Sequence, residues 1–169
     1  HTQDLKSVED TILDILDEYQ DWSLELIGTM IPSQKLLTLG NRLTLIPPER
    51  DYDAFISLLK SRNWSIGICP LVDSRFNYFK ANNKWIEYSC CNIATIASNL
   101  EPYIYGSPGT CLLRCDSQES WKDAFHQLIN SNSAIDELIK SSQETIRNRY
   151  SNNALSAQLF NIIQGLIRD

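Results

Sequence analysis

The chain has 169 residues, of which 43% are hydrophobic and 21% charged, with six Gly and six Pro. These values fit one globular domain and exclude disordered, collagen-like and low-complexity classes. The net charge of −6 creates a field that opposes phosphate backbones, so no nucleic-acid partner is expected, although a local basic pocket is still compatible with it.

The cysteines at 69, 90, 91, 111 and 115 are odd in number, lack a CxxC spacing and read as buried apolar thiols in a reducing compartment. His1 and His126 are far apart, zinc-site spacings are absent, and no metal is expected. No apolar run approaches the roughly 20 residues that cross a bilayer, and a cytoplasmic location is expected.

In chain order, Leu5, Val8, Ile12, Ile15, Leu16 and Tyr19 recur at spacings of three and four and predict an amphipathic helix over 4–19. Alternating Trp22, Leu24 and Leu26 predict a strand over 22–28. Pro32 and Gly40 bracket a short helix, with Pro32 in its first turn. A second strand over 42–46 is stopped by Pro47 and Pro48, and Asp51 is the expected N-cap of a helix over 52–61. The nearly continuous apolar run 64–71 predicts a strand buried on both faces, as parallel strands are.

A polar loop over 72–77 leads to a helix over about 82–91, then to strands over 93–97 and 110–113. Helices over 118–129, 134–149 and 154–167 finish the chain, with Ser117 and Ser133 as expected N-caps. Alternating strands and helices imply a doubly wound, Rossmann-like α/β domain: a parallel sheet, helices on both faces, and the last helices packed at its end. Ligands of such sheets bind at the carboxyl ends of the strands. Chemistry is therefore expected in the loops at 28–32, 46–51, 70–84 and 98–109.

The densest candidate is 73–87, DSRFNYFKANNKWIE, which places Arg75, Lys80 and Lys84 with Asn77, Asn82 and Asn83 between a buried strand and a helix start. Helix-terminal amides and lysines together suit a diphosphate. The same composition suits a solvated loop that caps its helix. Glu87, one turn into that helix, could accept from the vicinal hydroxyls of a ribose or pair with Lys84 three residues earlier. Asp73, Glu49, Arg50 and Asp51 carry the same ambiguity. No Ser-His-Asp arrangement, GxGxxG fingerprint or Walker A loop is present. His126 reads as a surface or packing residue, and Trp85, Tyr88, Trp121, Phe125 and Leu128 read as core.

The run 65–103, SIGICPLVDSRFNYFKANNKWIEYSCCNIATIASNLEPY, resembles the donor-binding core of family-4-like glycosyltransferases of the GT-B fold. The likeness lies in a buried strand ending in Pro-Leu, the Phe-Asn-x-x-Lys loop, Lys-x-x-Glu-Tyr on a helix and a strand ending in Ala-Ser. DWSLELIG at 21–28, GTCLL at 109–113 and the segments around 42–48, 116–125 and 149–151 follow in similar order. The resemblance implies that 1–169 is the C-terminal, nucleotide-sugar-binding domain of a hexosyltransferase-like enzyme of polysaccharide biosynthesis, retaining and metal-independent. Its partners would be the nucleotide-sugar donor, as co-substrate, and an N-terminal acceptor-binding domain of the same polypeptide, with at most peripheral membrane contact through that half.

The resemblance further implies that Glu87 binds the donor ribose, that Lys80, Ala81, Asn82, Asn83 and Lys84 hold the diphosphate, and that Ile46, Pro47 and Pro48 flank the base. Asp73, Asn77 and Phe79 are further candidates. Phe79 stands where the family pattern has the first of two glutamates, and Lys80 is expected to substitute electrostatically. Residues 1–4 resemble the end of a Gly-rich phosphate turn, so a preceding central strand and the acceptor half are expected to be missing and this fragment to be inactive by itself. The alternative is a non-catalytic nucleotide- or protein-binding α/β module. A receiver domain is excluded, because no acidic pair follows the first strand and no Asp ends 64–71.

Overall fold

The computed structural model describes residues 2–107 and 109–168, with side chains through residue 164. The expected first helix is two, α1 (Thr2–Lys6) and α2 (Glu9–Glu18). The break falls where Ser7 Oγ donates to the Asp4 carbonyl at 2.7 Å, a local bond that competes with helix continuation. There follow β1 (Leu24–Ile27), α3 (Gln34–Leu37), a 3₁₀ turn (Gly40–Arg42), β2 (Leu43–Ile46), α4 (Tyr52–Arg62) and β3 (Ile66–Cys69). Next come α5 (Arg75–Tyr78), α6 (Asn83–Cys90), β4 (Ala94–Ser98), α7 (Glu101–Tyr105) and β5 (Leu113–Cys115). The last helices are α8 (Gln118–Ile129), α9 (Asn132–Arg149) and α10 (Asn152–Arg168).

Local capping chemistry explains most boundaries. Asp51 Oδ1 accepts from the Ala54 amide at 2.8 Å, and Ser117 forms a reciprocal capping box with Ser120, both at the expected positions. Ser131 rather than Ser133 caps α9, accepting from the Ala134 amide at 3.2 Å. Ser33 caps α3, so Pro32 lies before that helix and not in its first turn. The helices α5 and α7 have four and five residues, too short to leave a periodic signature, and β5 begins at Leu113 instead of residue 110.

Every strand pairing is parallel, as expected of a doubly wound sheet. The ladder is nevertheless split: β1 pairs with β2, and β3, β4 and β5 form a second sheet in that order. A cavity of about 540 Å³ separates β1 from β3 and is lined by both.

Helices cover both faces. On one, Ile12, Ile15 and Leu16 of α2 pack with Trp121, Phe125 and Leu128 of α8 and Leu138 of α9 on Leu26, Ala94 and Ile96. On the other, Leu59 of α4 packs with Cys91, Ile93, Ile27 and Tyr88. A third cluster, Cys69, Leu71, Trp85, Ala97, Tyr103, Cys111 and Leu112, closes the carboxyl end of β3 and β4. Burial of each large side chain of these clusters contributes about 1.5–3 kcal/mol. Among the described residues no disulfide joins the cysteines; Cys90 is exposed, at the last residue of α6, which corrects the expectation that every thiol is buried.

Candidate functional site at the carboxyl ends of the strands

The loops leaving β3 and β4 are joined at the carboxyl end of the sheet, where the Leu71 amide donates to Ser98 Oγ at 2.8 Å. The helix α1 is fastened to the same place. Asp4 Oδ1 accepts from the Val72 amide at 3.0 Å and from Asn77 Nδ2 at 2.9 Å, while its Oδ2 meets Lys80 Nζ at 3.1 Å. Burial opposes ionisation of Asp4, but the hydrogen bonds from Val72, Asn77 and Lys80 outweigh it and hold the carboxyl below its usual range.

This network engages several of the candidate residues. Asn77 is buried and spends both amide protons, on Asp4 and on the Val72 carbonyl at 2.8 Å, so it shapes the loop. Lys80 is compensated by Asp4 and lies 5.3 Å from the centre of the Phe76 ring. Asp73, Phe76 and Phe79 are exposed around it.

Asn82 precedes α6 but does not cap it with its side chain, leaving the helix's first turn without that acceptor. Its Nδ2 instead donates to Tyr150 Oη at 3.0 Å and to Ser107 Oγ at 3.3 Å, and Tyr150 Oη donates to the Gly106 carbonyl. Gly106 has to be small: a Cβ there would stand 2.5 Å from the Pro102 carbonyl oxygen and 2.6 Å from Asn82 Nδ2. Arg114 secures the same loop by donating to the carbonyls of Ser107 at 2.9 Å and Gly109 at 2.8 Å. Sequence reading singled out neither Tyr150 nor Arg114 as site-forming, because each reaches the loop only through tertiary packing.

Lys84 and Glu87 project from consecutive turns of α6 into the large cavity beside Pro70, Gly67 and Tyr88. No ion pair within 4 Å joins them among the described residues, yet the lysine charge lowers the glutamate. Burial dominates and raises the Glu87 carboxyl above the ordinary range. Lys80, Ala81 and Asn82 line a separate shallow hollow of about 290 Å³ with Glu101, Pro102 and Tyr105. Ile46, Pro47 and Pro48 line neither cavity, and the two prolines are exposed. Tyr52, which begins α4 after that loop, is raised by burial and then by the charge of Glu87.

His126 Nε2 meets Glu18 Oε2 at 3.0 Å on the surface, distant in role from these loops, as expected. A phosphate role for His1 lies outside the described residues. Among the described residues no group of three His, Cys, Asp or Glu side chains could hold a metal ion, and no helix is long and apolar enough to cross a membrane.

The arrangement, parallel strands with helices on both faces and charged loops gathered at their carboxyl ends, is that of a Rossmann-like domain. The structure is similar to that of the K341M mutant of an O-GlcNAc transferase from Thermobaculum terrenum, with a TM-score of 0.69 at 17% sequence identity. The match covers 96% of this chain and 34% of the other, so the chain spans about a third of that protein. At this identity the likeness establishes the fold, a domain like those of GT-B glycosyltransferases, and does not single out the family-4 group. No family model and no curated protein sequence matches the chain.

Proposed function

We propose that this domain binds the nucleoside-diphosphate-sugar donor of a GT-B glycosyltransferase, with sugar transfer completed by an acceptor-binding half of the same polypeptide. The observation that carries the reading is Glu87 and Lys84 together: a partly buried carboxylate and a cation on one helix face, both lining the cavity between β1 and β3. The structural similarity to a glycosyltransferase supports it.

In this reading the Glu87 carboxylate accepts hydrogen bonds from the ribose hydroxyls. The first-turn amides of α6, at Asn83 and Lys84, face the diphosphate together with the Lys84 ammonium. Residues 46–48 flank the base. Lys80, already neutralised by Asp4, positions the Lys80–Asn82 backbone and adds little net charge. Transfer breaks the bond between the anomeric carbon and the diphosphate oxygen and forms one to the acceptor hydroxyl oxygen, whose proton goes to the departing phosphate. Cationic and amide groups stabilise the charge that builds on the leaving diphosphate, and retention follows if the acceptor attacks from the face of departure.

A binding role without transfer is the second reading, favoured by Phe79, which is 83% exposed and carries no charge to contact the donor. Calorimetric titration of the domain with UDP and GDP tests the donor assignment. Saturable binding that is lost in Glu87→Ala supports it, and absence of binding to either nucleotide overturns it.

A further inference from the structure

Asparagine is among the residues most favoured at a helix N-cap, where its side-chain oxygen accepts from an amide of the first turn. Asn82 holds that position ahead of α6, yet among the described residues its side chain makes no capping bond. Its backbone, at φ −84° and ψ 28°, lies outside the extended region from which Ser33, Asp51, Ser74, Ser117 and Ser131 cap their helices. The Asn82 carbonyl takes its first helical donor from Ile86 at 3.2 Å, so the amides of Asn83, Lys84 and Trp85 precede the ladder. The helix α6 thus begins with donors that the side chain of its own N-cap does not cover.

What holds Asn82 away comes from a distant part of the chain. Tyr150 closes α9, where its amide donates to the Ile146 carbonyl at 2.8 Å, and its ring meets Trp85 of α6 edge-on with centroids 6.0 Å apart. The Tyr150 hydroxyl accepts from Asn82 Nδ2 at 3.0 Å and donates to the Gly106 carbonyl, so its donor and an acceptor site are both engaged. Ser107 Oγ accepts from the same Nδ2 at 3.3 Å. Asn82 and Ser107 are buried, whereas Ala81 and Asn83 on either side of Asn82 are exposed. Trp85 is itself fixed, fully buried and with Nε1 donating to the Cys111 carbonyl at 3.2 Å. The Tyr150 ring and hydroxyl therefore act on the first turn of α6 from a rigid frame.

We propose that Tyr150 is a positioning residue of the donor site: by drawing the Asn82 side chain towards Ser107 it keeps that side chain off α6 and leaves the first-turn amides to the anionic group of the ligand. The assignment rests on the donor reading above, in which those amides and the Lys84 ammonium face a diphosphate. The physical reason is competition. A capping oxygen and a phosphate oxygen accept from the same amides, so a cap already in place has to be displaced before the anion binds. An N-cap biases the equilibrium it enters by about a factor of five, which sets the size of the effect.

The test is Tyr150→Phe, which keeps the ring against Trp85 and removes the hydroxyl, made in the 169-residue chain and again in an Asn82→Ala background. Amide hydrogen exchange without nucleotide reads the mechanism: exchange at Lys84 or Trp85 should slow by about fivefold in Tyr150→Phe, as the released Asn82 caps the helix. In the Asn82→Ala background the same change should leave exchange at these amides where Asn82→Ala alone puts it. Calorimetric titration with UDP and GDP reads the consequence: Tyr150→Phe should weaken binding by about fivefold in the parent and have no further effect on top of Asn82→Ala. Unchanged exchange at both amides, or an equal loss of affinity in the two backgrounds, overturns the role of Tyr150. A parent that binds neither nucleotide overturns the donor reading itself, whereas a parent that binds no more tightly than Tyr150→Phe overturns only the positioning role. Should Tyr150→Phe fail to fold, Ser107→Ala removes the other acceptor of the same Nδ2 and should move exchange and affinity in the same direction; no movement in either refutes the proposal.

Discussion

The Asp4 carboxylate of the first helix and the Lys80 ammonium ahead of α6 meet at 3.1 Å across 76 positions of sequence. The same carboxylate holds the Val72 amide and Asn77, so one buried acid joins α1, the loop after β3 and the approach to the candidate donor site. That anchoring separates residues that shape the site from residues that face it, and it generates opposite expectations for two lysines four positions apart.

Asp4→Ala should destabilise the domain by about 3 kcal/mol, because it removes a charged acceptor and leaves buried donors unpaired. The folded-state pKa of Asp4 is depressed, so its contribution is fully present above the unfolded value near pH 4 and is lost as pH falls through the folded value. Denaturant midpoints measured from pH 7 to pH 2 should show this acid-side loss in the parent and a weaker one in Asp4→Ala. Parallel curves would refute it.

Lys84→Met should flatten the salt dependence of UDP or GDP affinity, since Lys84 lines the cavity and makes no ion pair within 4 Å among the described residues. Lys80→Met should instead cost about 2 kcal/mol of stability by stripping Asp4 of its counter-charge. Titrations at several salt concentrations, paired with unfolding curves, distinguish the two. Equal salt slopes for Lys84→Met and the parent would return Lys84 to the solvated surface.

Glu87→Gln should abolish most nucleotide affinity and leave the protein as stable as the parent within about 1 kcal/mol, or slightly more stable, at neutral pH. The direction follows from burial: the raised folded-state pKa means ionised Glu87 opposes folding, and stability falls as pH rises through that value. Nucleotide binding should weaken on acidification at a pH above that of an ordinary glutamate. A pH-independent affinity would contradict the ribose role.

Gly106→Ala should reshape the loop that receives Asn82 and Tyr150, because its Cβ would press on the Pro102 carbonyl, a backbone atom that cannot rotate away. A loss of about 1–3 kcal/mol is expected. Thermal melts measure it, and an unchanged midpoint would show that the loop yields freely.

The 169-residue chain should transfer no sugar unaided. On the proposed donor reading, oriented attack needs a second wall to hold the acceptor. Product formed above donor hydrolysis, with nucleotide sugars and saccharide or lipid acceptors, would show that the catalytic unit is already complete.

Much of the architecture was legible without coordinates. Apolar spacing located α2, α4, α6 and α8, and the unbroken apolar run at 64–71 indicated a two-face-buried parallel strand, because both signals come from burial that each segment declares locally. Asp51 and Ser117 were recognisable as caps because a cap acts only three residues away. The clustering of Lys84 and Glu87 on one helix face was likewise fixed by helical period. What the tertiary structure alone decided involves partners distant in sequence. Lys80 meets Asp4, and the side-chain amides of Asn77 and Asn82 meet Asp4, Ser107 and Tyr150, pairings across the sequence that only the fold brings together. The same holds for the gap between β1 and β3, since a strand's sequence records that it is buried but not which neighbour buries it.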